Sequence, residues 1–463
     1  MNKKLETANT EGASGTLAWI SSPMRRMADV SSRIVERYLP DAFIFVFLLT
    51  GLVFVLGLFK GEGPVTVLGY WGEGFFSILA FTTQSVLMMI TGFALAHTPA
   101  MNRALTAFAR IPRNEVQVII VTTLVMMVCS WLSWGFGLIA GGIVAREMGI
   151  VHRGKIHYPL VVAASYAGFL VWHAGYGGAI PTLIATPGHF LESEMGLVPV
   201  SETIFAPSTL LMVLALAVVV PLALIMMRPA SGEKRKSFPE NLKADEAPEP
   251  DTVDKRELSP AERLERSRFV PLCLGALGIL WLISYFAGGG GLNINVVIMS
   301  FFAVGLALTP SARDYISYFS GGAKAAYGII LQFPFYAGIM GMMIHTGIAV
   351  DIAGGLVRIA DADTLPFWGF ISAGIVNMFV PAGGGQWTVQ GPIMVAAAQE
   401  MGANMADTAM SVAWGDAWTN MIQPFWTLPL LAIAGLGIRD IMGYTAVILV
   451  ISGVVIGGGL LLF

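Results

Sequence analysis

Apolar runs of about 20 residues recur along this chain, and few folds accommodate such a pattern. An α-helix rises 1.5 Å per residue, so a run of that length covers roughly 30 Å of hydrocarbon. The segment from Asp41 to Phe59 is one example. Charge gathers in residues 1–40, in one long loop from about Met227 to Arg268, and in short connectors. Of the 463 residues, 55% are hydrophobic and 12% are charged, whereas a soluble domain carries about 25% charged residues to cover its surface. A soluble core can bury one such run but not a series of them, so the chain is read as a multi-spanning membrane protein.

The same composition narrows the partners. A formal net charge of -3 offers nothing to nucleic acid. Cys129 and Cys273 both fall inside apolar runs, which fits packing and not a disulfide framework. The polar start lacks an apolar core followed by a small-residue cleavage site. Instead Ile20, Met24, Met27, Ile34 and Tyr38 recur at helical spacing among Arg25, Arg26, Arg33 and Arg37. That reads as a cytoplasmic arm, residues 1–40, whose amphipathic helix lies on membrane lipids.

Full spans are expected near residues 41–59, 75–97, 158–187, 207–228, 269–287, 292–308, 323–348, 408–436 and 440–462. Glycine, proline and polar residues interrupt 158–187 and 408–436. Two further segments, 115–147 and 365–401, turn back at glycine-rich points, and each arm reads as short for a crossing, the pattern of a re-entrant hairpin. Non-helical backbone at membrane depth survives only where protein or a wet cavity satisfies it, so these four places point to one site. Arg103, Arg110, Arg113, Arg146, Arg153 and Lys155 flank the first hairpin and place that side in the cytoplasm. The connector from His189 to Ala206 lacks Lys and Arg and is expected outside; the loop with Lys234, Arg235 and Lys236 returns inside as a mobile linker. The second hairpin follows Arg358 among Asp351, Asp361 and Asp363, so it enters from outside, and Phe463 also ends there.

The predicted fold is an all-α polytopic membrane protein built from two inverted repeats, each with a re-entrant hairpin and a broken transmembrane helix. The first repeat covers 41–228, the cytoplasmic linker 229–268, a linking span 269–291 and the second, inverted repeat 292–463. Short matches support the duplication: Gln84 and His97-Thr98 recur as Gln332 and His345-Thr346 at equal separation. Glu147-Met148-Gly149 and Glu400-Met401-Gly402 close the two hairpins. Inverted repeats with interrupted helices are the signature of carriers that hold substrate near the midplane.

The second hairpin turns at Val380-Pro381-Ala382-Gly383-Gly384-Gly385-Gln386-Trp387, followed by Thr388 and Gln390. Proline ends the inbound arm, and the glycines keep side chains away from backbone N–H groups. The outbound arm starts there, so its unpaired amides and positive dipole end face an anion, a short carboxylate being the natural guest; a tight helix crossing needing small residues is the plainer alternative. Ser133, Trp134, Gly135 and Gly137 form a similar turn in the first hairpin. Among the broken spans, Asp416 is the acid placed deepest, where a bare charge costs about 2.5–3.5 kcal/mol and so needs a partner. It can carry a proton or, with Thr419 and Asn420, help coordinate sodium, Asp416 and Asn420 being the candidate sodium ligands; a structural hydrogen bond to Asn420 is the alternative. His173 is a polar ligand, a gate or a satisfied interior histidine, while His97 and His345 sit near span ends and read as structural. Trp131, Trp134, Trp172, Trp387, Trp414, Trp418 and Trp426 all fall in these hairpins and breaks, which suits cavity walls for a small alkyl chain.

At these residues the chain resembles the short-chain fatty acid transporter family of bacteria, of the acetoacetate and butyrate type, from about Arg33 to Phe463. The matching stretches are Trp134-Gly135-Phe136-Gly137-Leu138, Leu331-Gln332-Phe333-Pro334-Phe335-Tyr336-Ala337-Gly338-Ile339, Gln390-Gly391-Pro392, Gln423-Pro424-Phe425-Trp426, Ala432-Ile433-Ala434-Gly435-Leu436-Gly437 and Arg439-Asp440-Ile441-Met442-Gly443-Tyr444, with the turn Gly383–Gly385. The resemblance implies uptake of short monocarboxylates across the inner membrane, on a plan similar to ion-coupled anion carriers with paired hairpins. Gln386 stands where that pattern leads one to expect histidine, and Asp416 where it leads one to expect glutamate. The expected function is therefore proton- or sodium-coupled import of butyrate, acetoacetate or similar acids, with no cofactor beyond the coupling ion and a homodimer as one assembly open to it. A C4-dicarboxylate or other organic anion carrier is the alternative. An intramembrane enzyme built on Asp416, His173 and His345 is remote, since no His-Glu-x-x-His or paired catalytic aspartate motif is present.

Overall fold

A computed structural model describes residues 42–462 apart from 78, 187–188, 190, 231–234, 240–257, 292–293, 349–350, 352–357 and 379–382. The expected amphipathic arm of residues 1–40, most of the linker and the Val380–Ala382 turn lie outside the described residues. Among those described the chain is helical, with no strand, as a lipid solvent demands of a chain that must satisfy its own backbone.

The first half holds α1 (Ala42–Phe59), α2 (Pro64–Ser77), α3 (Leu79–His97), the short amphipathic α4 (Pro99–Phe108), α5 (Glu115–Leu132), α6 (Trp134–Val151), α7 (Tyr158–Ala167), α8 (Ala179–Ile184), α9 (Glu192–Met195) and α10 (Pro207–Met226). After the short α11 (Pro260–Glu265) and the span α12 (Phe269–Ala287), the second half holds α13 (Ile294–Leu308), α14 (Ala312–Ala325), α15 (Tyr327–His345), α16 (Leu365–Asn377), α17 (Gly383–Met401), α18 (Met405–Thr419), α19 (Pro424–Ala434) and α20 (Ile438–Leu462). Seven of the described helices are long and apolar enough to cross a membrane. Local signals set the boundaries. Asn114 caps α5 by accepting from Gln117 N at 3.0 Å, and Asn404 caps α18 by accepting from Asp407 N at 3.0 Å. The expected span 75–97 takes in the end of α2 and the whole of α3.

Both predicted hairpins fold back. Ser133 alone separates α5 from α6, its backbone extended at φ -164 and ψ 129. In the second hairpin Ser372 and Ala373 of α16 meet Gln390 and Gln386 of α17. The expectation of short arms is corrected for the first hairpin: each arm has 18 residues, about 27 Å of helix, because a single residue makes the turn. Near its tip, Trp131 lies 6.0 Å from Phe205 in the segment before α10. In the second hairpin α16 has 13 residues and α17 has 19.

Two ends of the molecule are well separated in character. At one, Glu115, His157, Arg235, Lys236, Asp440 and Tyr444 are linked by hydrogen bonds and ion pairs. At the other, a cleft of ≈ 420 Å³ lies between the starts of α10, α16 and α18 and the end of α20, lined by Ser208, Asp363, Asn404, Asp407 and Leu461. The helices α10 and α20 run between these ends and pack together. Elsewhere α3 crosses α6 at Gly92 and Gly135, so closely that a Cβ on Gly92 would lie 2.8 Å from Phe136 N.

Candidate functional site

Both predicted helix breaks are present, and they pack against each other. α7 ends at Ala167 and passes into a tighter 3-10 stretch, Gly168–Ala174, then an extended Gly175 at φ -134 and ψ -171. α18 ends at Thr419, and the chain resumes helix only at Pro424, whose missing N–H suits a first helical position. Tyr166 donates its hydroxyl to the freed carbonyl of Asn420 at 2.6 Å, tying one break to the other.

Where they meet, His173 Nε2 lies 3.5 Å from Asp416 Oδ1, and both side chains are fully buried. Asp416 Oδ1 also lies 3.5 Å from Asn420 Nδ2, the predicted one-turn neighbour. Asp416 Oδ2 and His173 Nδ1 have no hydrogen-bond partner among the described residues. A carboxylate and an imidazole buried this way attract charge or share a proton, since an isolated ion there is costly.

Asn377, on the last turn of α16, organises the second break. Its Nδ2 is 3.0 Å from the carbonyl of Asp416, 2.9 Å from Thr419 Oγ1 and 3.0 Å from Asn420 Oδ1. Thr419 and Asn420, both expected as ion-coupling residues, thus share the Asn377 amide with the Asp416 carbonyl.

The tip of the second hairpin abuts the pair. Gly383 opens α17 directly on His173: a Cβ there would overlap Nε2 and lie 2.6 Å from Cε1. Gly383, Gly384 and Gly385 form the first helical turn and not an open loop, so their N–H groups carry the positive end of the α17 dipole. Gln386, buried, donates to Ala373 O at 2.8 Å and to Gln390 Oε1 at 3.1 Å, and Gln390 donates to Ser372 Oγ at 2.8 Å. This ladder turns Gln386 toward α16, holding the hairpin arms together. Trp387 is also buried and packs against Gly391. The side chain of Thr388 lies outside the described residues.

The first hairpin contributes differently. Ser133 donates to Met88 Sδ at 3.2 Å, Gly135 faces Met88, and Gly137 faces Ser130. These three positions pack closely against neighbouring helices, the Ser133–Trp134 backbone abuts Gly177 of the first break, and the Trp134 ring lies 5.2 Å from Trp426. Trp426 in turn lies 5.7 Å from both Trp172 and Phe169, and Trp172 touches His173 at 3.6 Å between ring centroids. An aromatic wall therefore runs from one hairpin tip to the other. Trp131 and Trp418 are not part of it: the first packs on Tyr176, and the second donates to Leu449 O at 2.7 Å. His97 bonds Phe93 O at 2.8 Å and His345 stacks on Tyr70, both at helix ends.

Sequence reasoning passed over Asn377 and Tyr166. A signal for the first existed, an amide inside the apolar run of α16, but nothing local said which oxygens it would meet.

The profile of the family described as "Short chain fatty acid transporter" matches residues 23–463. A protein of Escherichia coli (strain K12) named "Putative short-chain fatty acid transporter" is 41% identical over 440 residues, covering 95% of this chain and 99% of the relative. A protein of the same name from Haemophilus influenzae is 37% identical over 440 residues, covering 92% and 97%. Among solved structures, the Alcanivorax borkumensis YdaH transporter aligns with TM-score 0.48 and 13% identity, over 90% of this chain and 96% of that one. The Neisseria gonorrhoeae MtrF efflux pump aligns with TM-score 0.38 and 14% identity, over 92% and 97%.

Proposed function

Because this chain belongs to the short chain fatty acid transporter family, we propose that it imports short monocarboxylates such as butyrate and acetoacetate by cation-coupled alternating access. The supporting observation is the convergence of both helix breaks and the first turn of α17 on one buried His173–Asp416 pair. In this reading the substrate carboxylate binds at the α17 amides and His173, where a helix N-terminus and an imidazole both favour an anion. The aromatic wall of Trp134, Trp172 and Trp426 takes the alkyl chain, and Asp416 carries the coupling cation.

The two halves act as inverted repeats whose hairpins dip in from opposite faces of a bacterial inner membrane. The end bearing Arg235, Lys236 and Arg439 is the cytoplasmic one by the positive-inside rule, which puts the N-terminus inside and Phe463 in the periplasm. The buried centre corresponds to an occluded state, a necessary intermediate of any alternating cycle.

Purified protein in proteoliposomes tests the proposal. Labelled butyrate should accumulate above its external concentration when a pH or sodium gradient is imposed, and should stop at equality when neither is. Displacement of the label by succinate more readily than by unlabelled butyrate would assign the carrier to dicarboxylates instead.

A further inference from the structure

One amide in the centre is surrounded by more oxygen than it can serve. The NH₂ group of Asn377 has two hydrogens, yet three acceptors lie within 3.0 Å of Nδ2: the Asp416 carbonyl, Thr419 Oγ1 and Asn420 Oδ1. On the other side of the same side chain, Oδ1 is buried and has no hydrogen-bond partner among the described residues. Asn377 is itself fully buried. A native interior seldom leaves an acceptor orphaned beside a crowd of acceptors; the arrangement wants positive charge.

We infer that this cluster is a sodium site in which Asn377 is the switching ligand. Without the ion, the Asn377 amide donates into the oxygen cluster and stands in for the cation. When sodium enters, a half-turn about χ2 exchanges Nδ2 for Oδ1, and the amide oxygen joins the Asp416 carbonyl, Thr419 Oγ1 and Asn420 Oδ1 as a ligand. All four are hard neutral oxygens, the donor type that suits alkali and alkaline-earth ions and not softer metals. The Asp416 carboxylate, 3.5 Å from Asn420 Nδ2, supplies the negative charge that makes the loaded site neutral, as an interior in lipid requires.

The position of Asn377 gives the ion something to control. It ends α16, the inbound arm of the second hairpin, while the other three oxygens lie on the last turn of α18 and on Asn420, where the second break begins. Sodium bound between them clamps the hairpin to the break, next to the Gly383 turn that meets His173. Loading of the ion therefore stabilises the assembled anion site, and by linkage the anion raises sodium affinity by the same factor. This rests on the import reading above and narrows its coupling ion to sodium.

Radiosodium binding to the purified full chain, with and without butyrate, tests it. Wild type should bind sodium saturably, and more tightly with butyrate present. Asn377→Leu, which keeps the shape and removes both amide atoms, should weaken binding by at least about tenfold. Asn377→Asp, which retains an oxygen, should keep it, a rescue that a packing role would not show. Thr419→Val removes one ligand at constant shape and should also weaken binding, so the inference stays testable if the leucine variant fails to fold. Absence of sodium binding in wild type, or unchanged binding in Asn377→Leu or Thr419→Val, overturns the site. Carboxylate uptake in the same liposomes driven by pH alone would overturn sodium coupling while leaving import standing; no accumulation of any short acid under either gradient would sink the import reading itself.

Discussion

Gly383 is the position where a single methyl group tells most about the centre. In Gly383→Ala the new Cβ would overlap His173 Nε2, lie 2.6 Å from Cε1 and sit 3.4 Å from Trp172 Cη2. The imidazole has nowhere free to go, because Trp172 covers it at 3.6 Å between centroids and Asp416 stands at 3.5 Å. Adding a methyl to a packed interior costs about 1–3 kcal/mol. Charged to the closed arrangement alone, that cost lowers its population, and with it carboxylate affinity, by about 5- to 150-fold. Competition binding of labelled butyrate to purified protein reads this directly, with thermal melting alongside to separate it from unfolding. The double variant Gly383→Ala, His173→Ala removes the opposing ring, so its affinity should not fall below that of His173→Ala alone, a coupling typical of touching residues. Butyrate affinity within about twofold of wild type in a folded Gly383→Ala protein would refute the claim that the hairpin tip and His173 form one site, since the expected loss is larger.

Three other outcomes are expected. Asp416→Asn should abolish concentrative butyrate uptake while leaving butyrate–butyrate exchange, measured as efflux of preloaded label; full accumulation would remove Asp416 from coupling. Gly92→Val should lower the melting temperature without altering which acids compete, because its side chain would meet the Phe136 backbone at the α3–α6 crossing. At the basic end, burial, opposed by Glu115 and assisted by Lys236 and Arg235, pulls His157 down to about 4. An unfolded imidazole takes a proton near 6.5, so between about 6.5 and 4 the unfolded chain binds more protons and stability falls as pH falls. The loss is worth up to about 3 kcal/mol, and melting curves of wild type against His157→Gln across that window should converge toward acid.

Much of the architecture was legible because lipid leaves a chain few choices. The apolar runs, the breaks at Gly175 and Gln423-Pro424, and the fold-back at Ser133 all follow from local composition. The roles inside the hairpins were not legible to the same degree. Gly135 and Gly137 share the residue types of Gly383 but meet Met88 and Ser130 instead of His173, a difference that depends on which neighbour lies opposite. Gln386 stands beside the glycines, and only the folded chain shows its Nε2 bridging the two arms of its own hairpin. The arms of the first hairpin proved longer than the glycine pattern implied because one extended residue suffices for the turn.

The sequence by itself determined that this chain is helical, that it lives in a membrane, that it is interrupted at four points and that Asp416 needs a partner. Those are consequences of hydropathy and of backbone hydrogen bonding, which act over a few turns. Only the tertiary structure decided that the partner faces in from a residue far along the chain, His173, and that Asn377 gathers three oxygens from the end of α18 and Asn420 around one nitrogen. Such encounters are made by helix packing between distant segments, and no local periodicity records which polar atoms will meet when the apolar faces close.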